Sequence, residues 1–92
     1  MSLVRKRFKF YGQVQGVGFR YRAEKSASLC GVKGWVKNND DMSVEMEAQG
    51  YREQIDKMIE LIKKGNFIDI YKIEKKTIPL IDNEFGFTIK DY

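Results

Sequence analysis

Over residues 7–14 hydrophobic and polar positions alternate, with Phe8, Phe10 and Val14 on one side and Arg7, Lys9 and Tyr11 on the other. A period of two marks a half-buried strand. Residues 12–18 then break the pattern with three glycines, Gly12, Gly16 and Gly18. From Phe19 the spacing becomes helical: Phe19, Ala23, Ala27 and Cys30 share a face, while Arg22, Glu24 and Lys25 turn outward. Gly31 stands where a left-handed helix terminator belongs. Residues 32–38 predict a second strand carrying Trp35 and Val36, and Asn39-Asp40-Asp41 is turn chemistry. Alternation resumes over 43–48, where Val44, Met46 and Ala48 oppose Ser43, Glu45 and Glu47, so these two strands make a hairpin. After Gly50, the residues Ile55, Met58, Ile59 and Ile62 mark a second amphipathic helix, stopped at Gly65. Residues 67–78 read as a longer strand, and Phe85, Phe87 and Ile89 as a short final one beyond Pro79.

Strand, helix, strand, strand, helix, strand, with one extra C-terminal strand, is the order of an α+β ferredoxin-like sandwich. Its expected form is an antiparallel sheet with both helices on one face. No linker or low-complexity stretch interrupts the chain, so residues 1–92 are expected to form a single domain.

Composition narrows the chemistry more than the fold. Apolar residues make up 42% and charged residues 33% of the 92 positions, enough for a core without disulfides or a structural metal. Cys30 is the only cysteine, which fits a reducing compartment. No apolar run approaches the roughly 20 residues of a membrane span, and the first ten residues lack a signal peptide's apolar stretch. A cytoplasmic location is the expectation. A net charge of +4, scattered among acids, suits anionic ligands in general and selects no partner. The absence of histidine excludes a histidine triad, a phosphohistidine intermediate and a His-ligated zinc site. Cys30, at the end of a predicted helix, reads as a small core residue rather than a nucleophile. Chemistry here falls to Arg, Lys, Asn, Gln, carboxylates, hydroxyls and backbone.

The segment GQVQGVGFR, residues 12–20, lies between a strand and the start of a helix. A helix's first turn presents unpaired N–H groups and about half a positive charge. Glycines let such a backbone curl into a nest for a phosphate. Arg20 opposes the helix dipole where it stands, costing roughly 0.3–1 kcal/mol if exposed, and an anion bound there reverses that sign. The alternative is a tight structural corner with a solvated arginine. Walker-type nucleotide binding is disfavoured, because no Gly-Lys-Ser or Gly-Lys-Thr follows.

This nonapeptide, followed by Gly34-Trp35-Val36-Lys37-Asn38, resembles the two signature segments of the acylphosphatase family. The similarity implies hydrolysis of acylphosphates to a carboxylate and inorganic phosphate, with no metal, cofactor or covalent intermediate. It implies that Arg20 and Asn38 are catalytic: Arg20 would bind phosphate and Asn38 would position the attacking water. Backbone donors would come from Gln15, Gly16, Val17, Gly18 and Phe19. Asn39 is chemically identical to its neighbour, and only the register of the motif selects Asn38. Lys37 occupies a variable position and Trp35 reads as a core or sheet-face aromatic. Met42 stands where many members have glycine in the hairpin turn, Tyr51 where proline is common, and Gln13 where a basic residue is frequent. The expected partners are a small-molecule acylphosphate and inorganic phosphate as product and competitor, for a monomer binding neither nucleic acid nor membrane. Two rivals remain at this stage: an RNA-binding ferredoxin-like module, which lacks its aromatic strand signature, and a non-catalytic anion-sensing domain.

Overall fold

The alternating run near the start of the chain becomes the inner strand β1 (Leu3–Gln13), flanked by β3 (Val44–Tyr51) and β4 (Asp69–Ile78), antiparallel to both. The computed structural model describes residues 2–91. Its other elements are α1 (Phe19–Cys30), β2 (Lys33–Asn38), α2 (Arg52–Lys63) and β5 (Phe87–Lys90). The sheet order is β4-β1-β3-β2-β5. Both helices cover one face, burying Phe8, Phe10, Val36 and Met46 of the sheet under Ala23 and Ala27 of α1 and Ile55, Met58 and Ile62 of α2. Cys30 is half-buried and packs against this core, as a small apolar residue would.

The sheet departs from the expected antiparallel form at its last strand. β5 pairs with β2 in parallel, Gly34 opposite Phe87 and Lys37 opposite Lys90. Residues 79–86 carry the chain from one edge strand across the open face to the other edge. The chain therefore enters β5 beside the start of β2 and must run the same way.

β4 also differs from its simple pattern. It begins at Asp69 rather than 67, and Phe67 is exposed. Ile70 and Ile73 both pack on the core although they are three apart. A strand of strict period two cannot do this. The register shifts between Tyr11 opposite Lys72 and Gly12 opposite Ile70, so Tyr71 is an extra residue. That bulge restores the phase and leaves the Tyr71 ring outside, exposed.

Gly31 ends α1 in the left-handed conformation, as expected, its N–H donating to the Ala27 carbonyl. α2 stops differently. Lys64 caps it in right-handed geometry, and the Gly65 N–H donates to Ile62 O at 3.1 Å. A Cβ at Gly65 would lie 2.6 Å from Ile68 Cδ1 and 3.0 Å from Arg22 Cδ, so those side chains would have to shift to admit one.

On the open face Arg5 is fully buried beneath residues 79–86. Its Nε donates to Glu47 at 2.9 Å, Nη1 to Gln49 Oε1 at 3.1 Å, and Nη1 and Nη2 to the two Glu84 oxygens at 2.7 and 3.2 Å. Removing one partner of such a buried charge costs about 3–5 kcal/mol where no others remain. Gln49 also exchanges two hydrogen bonds with the Ile81 backbone, at 2.9 and 3.0 Å.

The β2–β3 hairpin closes on the Asn38–Val44 pair. Within it the Asn39 N–H donates to Ser43 O at 2.9 Å, and the Met42 N–H to Asn39 O at 3.2 Å. Met42 holds a φ of 74°, a conformation that costs a side-chain-bearing residue about 1–2 kcal/mol. The Asp41 carboxylate accepts from the Ser43 hydroxyl and from its N–H, and pairs with Lys9 at 3.1 Å. The two Ser43 hydrogen bonds, then Lys9, lower its pKa from an ordinary 3.8 to about 2.

Two outcomes follow for the hairpin. Met42→Gly relieves the backbone strain but adds about 0.5–1 kcal/mol of chain entropy on unfolding, so a net gain near 0.5–1 kcal/mol is expected. A urea midpoint that fails to rise would contradict it. Because the folded Asp41 pKa is depressed, its stabilisation is fully present above pH 3.8 and disappears as pH falls through about 2. Asp41→Asn should therefore be less stable than the parent at neutral pH and equal to it near the acid end, as read by acid-series unfolding.

Candidate active site

The turn between β1 and α1 is an open span between two anchors. Val14 and Phe19 are buried, and the Phe19 ring sits 5.0 Å from Phe10 of β1. Between them Gly16 and Gly18 are exposed, with φ of 73° and 79°. Nothing lies within 4 Å of where a Cβ would stand on either. Glycine serves here for its backbone rather than for room. Alternation of left-handed and ordinary conformations points successive amides into one concavity.

α1 opens directly from this turn. The first helical bond runs from Arg22 N–H to Gly18 O at 3.0 Å, which leaves the N–H groups of Phe19, Arg20 and Tyr21 without intrahelical acceptors. Gly18 has no side chain with which to cap them, and no acidic residue occupies the first turn. The helix dipole thus adds about half a positive charge at an uncapped end.

Arg20 adds a whole one. Its side chain is 31% exposed, and Asp91 approaches it at 3.7 Å with a carboxylate that is 91% exposed. At that distance the pair is beyond hydrogen-bonding range, and a contact of this kind contributes about 0–1 kcal/mol. A phosphate engaging the guanidinium through two oxygens makes stronger, charge-assisted bonds. Nothing in the local pattern placed Asp91 here; it arrives because β5 runs parallel to β2.

Asn38 is the last residue of β2. It alternates in phase with Val36, which is fully buried under the helices, so Asn38 lies on the α1 side of the sheet. Lys37 and Trp35 take the opposite face, where Lys90 Nζ stands 4.2 Å from the Trp35 ring centroid. Trp35 is thus a sheet-face aromatic rather than a core one. The neighbouring asparagine is otherwise engaged: Asn39 Nδ2 donates to Ser43 Oγ at 3.0 Å. Among the described residues the Asn38 carboxamide has no hydrogen-bond partner.

Gln15 joins the two halves. Its Nε2 donates to Asn39 O at 2.7 Å and to Ser43 O at 2.9 Å. The glycine turn is therefore tied to the hairpin at the very end of the strand that presents Asn38. Both Nε2 hydrogens of Gln15 are used in this bridge, so its donor contribution to a ligand would come from its backbone N–H. A sequence reading could not foresee the bridge, because its acceptors are main-chain carbonyls 24 and 28 residues away.

A broad groove lies elsewhere, between the later turns of α1 and β5, lined by Ala27, Val32 and Phe87 among others, with neither Arg20 nor Asn38. Its Lys25 and Lys33 share the lining with the Glu24 carboxylate, whereas the first turn of α1 carries no acidic residue. Among the described residues no three His, Cys, Asp or Glu side chains converge as a metal site. Among the described residues no helix is long and apolar enough to cross a membrane.

The chain has relatives among known proteins, in sequence and in fold. The Acylphosphatase family model matches residues 6–89. The chain is 45% identical over 82 residues to an acylphosphatase of Clostridium acetobutylicum, covering 88% of this chain and 90% of that one. It is 50% identical over 77 residues to an acylphosphatase of Geobacillus thermodenitrificans, covering 80% and 82%. The crystal structure of acylphosphatase from Bacillus subtilis shares the fold with a TM-score of 0.86 at 33% identity, over 95% of this chain and 98% of that one. Matched in sequence along most of its length and in fold to a solved member, this chain belongs to the acylphosphatase family.

Proposed function

We propose that the chain hydrolyses acylphosphates at the turn between β1 and α1, using Arg20 and Asn38. The observation that carries this reading is the uncapped first turn of α1. Its free amides and the Arg20 guanidinium gather beside the hairpin that follows Asn38, and among the described residues the nearest anion paired with Arg20 is Asp91, at 3.7 Å.

In this mechanism the N–H groups of residues 15–19 and the Arg20 guanidinium hold the non-bridging phosphoryl oxygens. Phosphoryl transfer asks chiefly for positioning and charge stabilisation, and the nest provides both without reorganising. The Asn38 carbonyl accepts a hydrogen bond from a water molecule and aims its oxygen at phosphorus, in line with the bond to the acyl oxygen. The new P–O bond forms as that bond breaks. The electron pair leaves with the acyl oxygen as a stable carboxylate, so the leaving group needs no general acid. An amide is too weak a base to take the water's proton at neutral pH, and a phosphoryl oxygen receives it. The products are a carboxylate and inorganic phosphate. The enzyme works as a single-domain monomer in the cytoplasm, with no cofactor and with neither nucleic acid nor membrane as partner.

Arg20→Gln and Asn38→Ala are each expected to lower benzoyl phosphate turnover by about 10²–10³ while circular dichroism stays unchanged. Arg20→Gln should also raise KM, and Asn38→Ala should act mainly on kcat. Near-parental turnover in Asn38→Ala would refute its water-orienting role. Inorganic phosphate should inhibit competitively in the parent and far more weakly in Arg20→Gln. EDTA should leave the rate unchanged; loss of activity on chelation would overturn the metal-free mechanism.

A further inference from the structure

We propose that Glu84 and Arg5, at the opposite end of the sheet from the glycine turn, are positioning residues for hydrolysis that act through Asn38. The inference rests on Asn38 orienting the attacking water.

Without β5, β2 would be an edge strand, held to the sheet on one side only. β5 supplies the other side, pairing up to Lys37, one residue short of Asn38. β5 is short, Phe87–Lys90, and four parallel positions alone are a weak hold. What secures it is the crossing at 79–86. Glu84 clasps the buried Arg5 guanidinium with both oxygens, at 2.7 and 3.2 Å. Gln49 grips the Ile81 backbone twice, and the Gly34 N–H donates to Gly86 O at 3.1 Å where the crossing meets β2.

These contacts set the entry point of β5. From there the register is fixed: Phe87 against Gly34, Ile89 against Val36. The last pair lies beside Asn38, and the next residue, Asp91, reaches Arg20. A latch buried under the crossing thus determines how firmly the far end of β2 is held. Precision matters there more than binding strength, since a misplacement of about 1 Å can cost on the order of 10² in rate. The phosphate nest is pinned separately, by Val14 and Phe19 in the core, and Asp91 meets Arg20 only at 3.7 Å, so a loosened β5 disturbs the nest far less than it disturbs the end of β2.

The test is a double-mutant cycle on the full chain with benzoyl phosphate. Glu84→Ala is expected to lower kcat about five- to tenfold, leaving KM and inhibition by inorganic phosphate unchanged. In an Asn38→Ala background the same change should have no further effect on kcat. Glu84→Gln, which keeps a hydrogen bond to Arg5, should recover most of the rate. Should Glu84→Ala fold poorly, Gln49→Leu releases Ile81 while leaving the Arg5–Glu84 clasp, and should show the same kcat-only loss and the same dependence on Asn38. A lowered melting temperature with unchanged kcat would overturn the proposal, leaving Glu84 purely structural. An equal loss in both backgrounds would overturn it too. If Asn38→Ala itself keeps the parental rate, the water-orienting reading fails and takes this one with it. A weak Asn38→Ala beside a fully active Glu84→Ala sinks the latch alone.

Discussion

Positive charge gathers at the start of α1 and the protein does not neutralise it. Among the described residues, three helix amides, a turn shaped by Gly16 and Gly18, and the Arg20 guanidinium meet only a distant, solvated Asp91. Most helices satisfy this end with a serine, threonine or aspartate cap. Here the capping position is a glycine, so the end stays open to an external anion. The surrounding structure preserves that opening. Val14 and Phe19 pin both sides of the turn in the core, and Gln15 braces it against the hairpin rather than filling it.

The two faces of the sheet divide the work. The helix side carries the apolar core and, at its rim, Asn38. The open side carries charge: Arg5 and Arg7 with Glu45 and Glu47, and Lys37 and Lys90 over Trp35. Because side chains alternate, Lys37 and Asn38 belong to different faces although they are adjacent. That alternation turns the basic side chain next to Asn38 towards Trp35 and away from the head of α1. Among the described residues no buried side-chain nitrogen or oxygen lacks a partner, Arg5 included. The charged face is therefore a completed network, while the amides at the head of α1 remain uncommitted.

What could be read in advance was what local periodicity encodes. The alternation at Phe8 and Phe10, the helical spacing of Ile55, Met58 and Ile62, and the left-handed Gly31 all appear where their patterns place them. The glycine turn with Arg20 was legible because a cation at the head of a helix conflicts with the dipole and so calls for an explanation. Pairings remote in sequence were not legible. Nothing local marks Arg5 for burial, yet it is covered by a crossing that begins more than seventy positions later. The parallel sense of β5 depends on that crossing, and the contact of Asp91 with Arg20 depends on β5. The phase slip at Tyr71 was hidden for a related reason: Ile70 and Ile73 both read as apolar, and only pairing with β1 shows that one residue must be skipped. In the sequence only the register of the motif separates Asn38 from Asn39; the hydrogen bond that ties Asn39 to the Ser43 hydroxyl was not legible there.

The distance along the chain between Arg5 and Glu84 also bears on how the molecule is made. The two partners are 79 residues apart, and a ribosome adding roughly 5–20 residues per second needs about 4–16 seconds to deliver the second after the first. Helical segments equilibrate on the order of microseconds, so α1 and α2 can form and re-form many times while Arg5 is still hydrated. Desolvating that guanidinium before its bidentate carboxylate exists would be unfavourable. The nascent chain therefore has reason to keep its first strand loosely engaged until Glu84 has been made, and the closing of the sheet becomes a late event in the folding of this domain.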